Sequence, residues 1–146
     1  MMVAEASTRV RATADAVRAS VYDPVAYTRG TKVARIEVLE RSDESMLARI
    51  QGRFGPIKST ILARYKDNGD EVDLTMISGR LRGFHAIFRI DQDGDAVRLT
   101  HREEYDFGYG PFTPIVERLL RGWARRSVEA EVDALRQDAE QRIASA

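Results

Sequence analysis

His101 and Glu103 stand two residues apart in AVRLTHREEYDF. Alternation sends Val97, Leu99, His101, Glu103, Tyr105 and Phe107 to one side of a strand. Arg98, Thr100, Arg102, Glu104 and Asp106 go to the other, a fully polar side. An imidazole and a carboxyl on the apolar side need partners, because burying a polar group unpaired is costly. Two kinds of chemistry fit the pair: orienting a ligand, or moving a proton. The plain alternative is a settled structural pair, bonded to an arginine or to a later helix. Tyr65, Tyr105, Ser59 and Ser78 also fall on inward positions, where a hydroxyl can hold a carbonyl or a phenol, or simply sit at the edge of the core. His85 alternates onto the wet face and is expected to be solvated.

Those side chains need a frame. MVAEASTRVRA alternates weakly and reads as a first strand. Thr13 is placed to cap a short helix over 14–21. Asp23 and Pro24 read as N-cap and first residue of a second short helix, which Gly30 stops. From Lys32 to Phe107 the pattern has period two. VARIEVLE is a strand. In SMLARIQGRF, Met46, Ala48, Ile50 and Phe54 share a face. A turn at Gly55-Pro56 leads to Ile57, Ser59, Ile61, Ala63 and Tyr65. Asn68-Gly69 is a strong hairpin signal. As a two-residue loop it would pair Lys66 with Glu71, Arg64 with Asp73, Tyr65 with Val72 and Ala63 with Leu74. Val72, Leu74, Met76 and Ser78 then share a face, as do Phe84, Ala86, Phe88 and Ile90. SGRLRG breaks the parity, as a bulge or wide turn would. Arg80 and Arg82 sit there, at a sheet end, either solvated or guarding a cavity mouth and attracting an anionic head group.

After GYGP, Thr113 is placed to cap and Pro114 to start a long helix reaching about Ile143. Its apolar stripe includes Val116, Leu120, Trp123, Val128 and Leu135. Gly122 stands beside Trp123, although glycine within a helix costs about 1 kcal/mol relative to alanine. If the pair faces the sheet, Gly122 removes bulk and Trp123 supplies a wall. Otherwise Trp123 fills core and Gly122 lets the helix approach closely. The expected architecture is α+β: one antiparallel sheet of about seven strands, two short helices after strand one, and a long C-terminal helix packed on the sheet.

The 146 residues are expected to form one domain over 1–146. Hydrophobic residues make up 43% and charged ones 32%, an ordinary globular mix. With 23 basic and 23 acidic residues there is no basic excess, which argues against a dedicated nucleic-acid binder. Absence of cysteine excludes disulfides and thiolate chemistry. No apolar run reaches a membrane span and the first residues lack a signal-peptide core, so a cytoplasmic location is expected. DQDGD is short of a calcium loop and two histidines on separate strands do not make a zinc site, so neither metal nor cofactor is expected. Arg118, Arg121 and Arg125 share a helical face whose interleaved acids suggest solvation.

The element order, the DPVAYTRGTKVARIEVLE entry into the second strand, AVRLTHREEYDFGYGPFTPIVERLL and the ALRQDAEQR ending resemble the START-like helix-grip superfamily, also called SRPBCC. The chain is most similar to its polyketide cyclase/dehydrase-like group. The resemblance implies a helix-grip fold, a strongly bent antiparallel sheet gripping the last helix, often around an apolar cavity for lipids, polyketides, sterols, quinones or hormones. Three functions stay open: a carrier of a small apolar molecule, an aromatase/cyclase-like enzyme using His101 and Glu103, and a protein-interaction module. The first is favoured. Its candidate ligand-binding residues are Tyr65, Met76, Phe88, His101, Glu103, Tyr105, Leu120 and Trp123. The partner is then a small apolar molecule, and the chain a monomer or homodimer.

Overall fold

A computed structural model describes residues 1–146. Strand β1 (Met2–Val10) leads into two short helices, α1 (Ala14–Val21) and α2 (Pro24–Tyr27). Six strands follow: β2 (Val33–Arg41), β3 (Ser45–Phe54), β4 (Ile57–Asp67), β5 (Glu71–Ser78), β6 (Gly83–Asp93) and β7 (Ala96–Asp106). A 3-10 turn at Gly110–Phe112 enters α3 (Thr113–Ala144). All seven strands form one antiparallel sheet in the order β1-β7-β6-β5-β4-β3-β2. The chain therefore has the α+β element order that the residue pattern implies and the helix-grip architecture that the resemblance implies.

Local chemistry explains the entry. The Thr13 side chain accepts the Ala16 amide at 3.1 Å, and Asp23 Oδ1 accepts that of Val25 at 2.9 Å, so both short helices begin on side-chain caps. Thr113 does not cap α3. It lies inside the helix, whose cap is Phe112 in helical conformation with no side-chain bond, because the 3-10 turn already delivers the chain wound.

The β4–β5 hairpin differs from the expected register by two residues. Tyr65 pairs with Leu74 and Lys66 with Asp73, so the loop is Gly69-Asp70. Asp67 Oδ1 accepts the Gly69 amide, Asn68 N–H donates to Glu71 O at 2.8 Å, and Gly69 takes φ +92° at the first loop position. An even shift leaves every side chain on its expected face. Beyond a bulge at Leu62/Ala63, Met76 to Ser78 have no partner on β6, and the chain peels away through Gly79–Arg82. Met76 is consequently half-buried and Ser78 is exposed rather than inward.

Helix α3 packs most closely along β1, α1 and β7. Its buried residues concentrate in the second half, around Val128, Val132, Leu135 and Ala139. Leu120 and Trp123 are only partly covered, and Phe112, Ile115 and Leu119 stay exposed. Gly122 is exposed too: a Cβ there would meet nothing but the end of Arg126, at 3.2 Å. It shapes no cavity wall, and it does not let the helix approach the sheet. Gly122→Ala is expected to stabilise the protein by about 0.5–1 kcal/mol and raise Tm by about 2–3 °C in a thermal melt. An unchanged or lowered Tm would show that the glycine has a role of its own. The close approach lies instead at Gly55, whose φ is +66° and whose Cβ would stand 2.9 Å from Leu120 Cδ1.

Candidate functional site

Inside the sheet, His101 and Glu103 are fully buried, as their parity implies. Both meet α3. His101 Nε2 lies 2.7 Å from Glu131 Oε2, and His101 Nδ1 lies 3.2 Å from Ile87 O. A carbonyl and a carboxylate only accept, so both ring nitrogens donate and the ring is an imidazolium. Tyr27 O–H donates to the same Glu131 oxygen at 2.9 Å. Phe88 stacks flat on His101, 4.1 Å between centroids, and fixes the ring plane.

A lysine joins the two halves. Lys32, one residue before β2, sends its ammonium inward to both Glu103 oxygens, with Oε2 at 2.6 Å. Nζ also reaches Glu131 Oε1 at 3.0 Å and donates to Tyr105 Oη at 2.7 Å. Tyr105 O–H in turn donates to Glu103 Oε1 at 2.7 Å. Four rings surround the ammonium at 5.3–5.8 Å: Phe54, Phe84, Tyr105 and Trp123. Such contacts stabilise a cation where water is excluded. Two carboxylates thus face two cations, and the cluster is neutral.

The electrostatics follow. Burial alone would push Lys32 and His101 down, but Glu103 and Glu131 more than offset it and hold both above their ordinary values. Burial would push Glu131 up; the Lys32 charge, then the His101 charge and hydrogen bond, bring it down to about 2. Burial first, and the neighbouring carboxylates second, push Tyr27, Tyr65 and Tyr105 well up, so all three keep their protons. Tyr65 Oη is buried without a hydrogen-bond partner, as is Ser127 Oγ, one turn before Glu131 on α3.

His101, Glu103 and Glu131 each offer a donor atom within 4.8 Å of the others, a set that could ligate a divalent cation. The Lys32 ammonium lies among those same carboxylate oxygens and, with the His101 imidazolium, already neutralises them.

Of the eight candidate residues, His101, Glu103, Tyr105 and Trp123 surround this cluster, and Phe88 supports it. Tyr65 shares the interior, stacked at a tilt against Tyr22, 6.0 Å away. Met76 and Leu120 lie at its margins, Met76 on the unpaired end of β5 and Leu120 against Gly55. Lys32, Tyr27 and Glu131 are additional members. Glu131 carried a signal: its spacing from Val128 and Leu135 places it on the apolar stripe. Lys32 carried none, since only the fold brings it near Glu103. His85 is half-buried and bonds Asp73 on the outer face, so it is paired rather than free in solvent.

No family model matches the sequence, and no curated protein matches it. Solved structures do. The chain is similar to a START superfamily protein from Mycobacterium smegmatis, with TM-score 0.76 and 16% identity over 97% of this chain and 99% of that one. It is similar to the Zhui aromatase/cyclase from a Streptomyces species, with TM-score 0.75 and 18% identity over 97% and 94%. A STAR-related lipid transfer protein from Xanthomonas axonopodis gives TM-score 0.74 and 18% identity over 92% and 84%. The class is thereby defined: this chain has the START-like helix-grip fold. No helix is long and apolar enough to cross a membrane.

Proposed function

We propose that this chain binds a small, mostly apolar molecule between the sheet and α3, and that a hydrogen-bonding group of that molecule meets the Lys32 cluster. The carrying observation is the cluster itself: four charged groups and two tyrosine hydroxyls buried in a small domain beneath four aromatic rings. A buried ion network gives less stability than apolar packing of the same volume, so stability is a poor reason for it. Strongly perturbed groups gathered in one place mark functional sites more than average surface. Tyr65 Oη and Ser127 Oγ add unpaired hydroxyls to the same interior. A groove of about 830 Å³ at the end of the sheet has Lys32 among its lining residues.

Two of the similar structures are described as an aromatase/cyclase and a lipid transfer protein, and such apolar molecules with a few oxygens suit an apolar interior with a few convergent polar groups. Trp123, 5.6 Å from Lys32 Nζ, is the probe. Titration with fatty acids, sterols, quinones and aromatic polyketides is expected to give a saturable change in its emission with one class. No change with any class would overturn the proposal.

A second reading, acid catalysis on the bound molecule, draws on the double donation by His101. The imidazolium would pass the Nε2 proton to a ligand carbonyl oxygen, leaving neutral imidazole beside Glu131. On a poly-β-ketone substrate, His101→Gln should then abolish turnover while leaving binding near normal. Unchanged turnover would remove His101 from the reaction.

A further inference from the structure

The groove at the sheet end has its own chemistry. It is lined by the start of β2, the end of β3, the start of β4 and the β5–β6 loop. Arg53, Lys58 and Arg80 line it, and no acidic residue does. Arg53 and Lys58 are direct cross-strand partners beside the Gly55-Pro56 turn. Like charges placed directly opposite destabilise a strand pair. Some basic residues of the sheet are answered by acids: Arg49 pairs with Glu37, Arg82 with Asp106, Arg89 with Glu71. Arg53, Lys58 and Arg80 form no ion pair. Thr60 and Ser59 also line the groove, and the Ser59 Oγ is buried without a partner.

We infer that this groove is an anion site for a phosphate group, carried either by a soluble phosphomonoester or by a lipid head group. Three cations exceed what one carboxylate needs and more than neutralise a phosphate dianion. The Arg53 and Arg80 guanidinium groups can fork onto phosphate oxygens, and Lys58 supplies a point charge. A bound phosphate relieves the Arg53–Lys58 repulsion. The peeling of the chain after Ser78 is what brings Arg80 to the rim. The inference stands whether or not the interior takes an apolar molecule.

Calorimetric titration tests it with three probes: inorganic phosphate, a sugar phosphate, and vesicles of phosphatidic acid in phosphatidylcholine, against phosphatidylcholine alone. Binding is expected for at least one phosphate-bearing probe, weakening as salt rises. A soluble probe that binds names a free phosphate compound; binding confined to the acidic vesicles names a lipid head group. Arg53→Ala/Lys58→Ala/Arg80→Ala is expected to weaken that binding at least tenfold. Arg118→Ala/Arg121→Ala/Arg126→Ala removes equal charge from exposed positions of α3 and is expected to leave it unchanged. The inference is overturned if no phosphate probe binds, if the groove variant binds like the native chain, or if both variants lose binding equally. Emission of Trp123 with apolar ligands, measured on the same groove variant, keeps this outcome separate from the interior one.

Discussion

Lys32→Met is expected to destabilise the fold by about 3–5 kcal/mol, the usual cost of stranding a buried charge. Methionine fits the space that the lysine stem occupies and is welcome among aromatic rings. What it lacks is the ammonium that four partners share: Glu103, Glu131, Tyr105 Oη and the ring of aromatic faces. Without it, two buried carboxylates face one imidazolium. Chemical denaturation reads the loss directly. The cause is separable from packing by a second change. Lys32→Met/Glu103→Gln restores neutrality and is expected to be more stable than Lys32→Met alone, by about 1 kcal/mol or more. A loss below about 1 kcal/mol for Lys32→Met, or further destabilisation by Glu103→Gln, would show that the cluster is not held by its charges.

Stability is also expected to fall at both ends of the pH range, through two groups of opposite sign. Glu131 is held at about 2 in the fold against an ordinary 4.5. Its contribution is fully present above pH 4.5 and is lost as the pH falls towards 2, on the order of 3 kcal/mol. His101 is held above its ordinary 6.5. Its contribution is fully present below 6.5 and disappears as the pH rises through the folded value. The maximum from this pair therefore lies between about pH 4.5 and 6.5. Denaturation of the native chain and of Glu131→Gln across pH 2–9 isolates the effect, since other carboxylates titrate in both. The native chain should lose about 3 kcal/mol more than the variant on the acid side, and its alkaline decline should be absent from the variant. Parallel curves for the two would contradict the geometry.

How much of this was legible in the sequence depends on distance along the chain. Strand faces came through because period-two alternation is local, and an error of two residues in the β4–β5 register left Tyr65 and Leu74 on the inner side. The caps at Thr13 and Asp23 were legible because a cap acts over three residues. Thr113 misled, because the 3-10 turn before it took over the task of starting the helix. Gly122 misled as well, since adjacency to Trp123 says nothing about direction: neighbours on a helix point about 100° apart, and one faces solvent while the other faces the cluster. The site was half legible. Parity turned His101 and Glu103 inward and marked them as needing partners. Which partners answered was set by long-range packing: Glu131 comes from α3, 30 residues after His101, and Lys32 from the β2 entry, 71 residues before Glu103. No local pattern pairs such positions.

If the buried cluster reads a polar group on an otherwise apolar molecule, a matched pair of ligands separates the two parts of that recognition. Calorimetric titration of the native chain with 2-naphthol and with 2-methylnaphthalene compares two molecules of nearly equal size that differ in one hydroxyl. Saturable binding of the naphthol is expected to be at least tenfold tighter, about 1.4 kcal/mol, because only it can bond the cluster or Tyr65. Equal affinity for the two, or binding of neither, would contradict that reading.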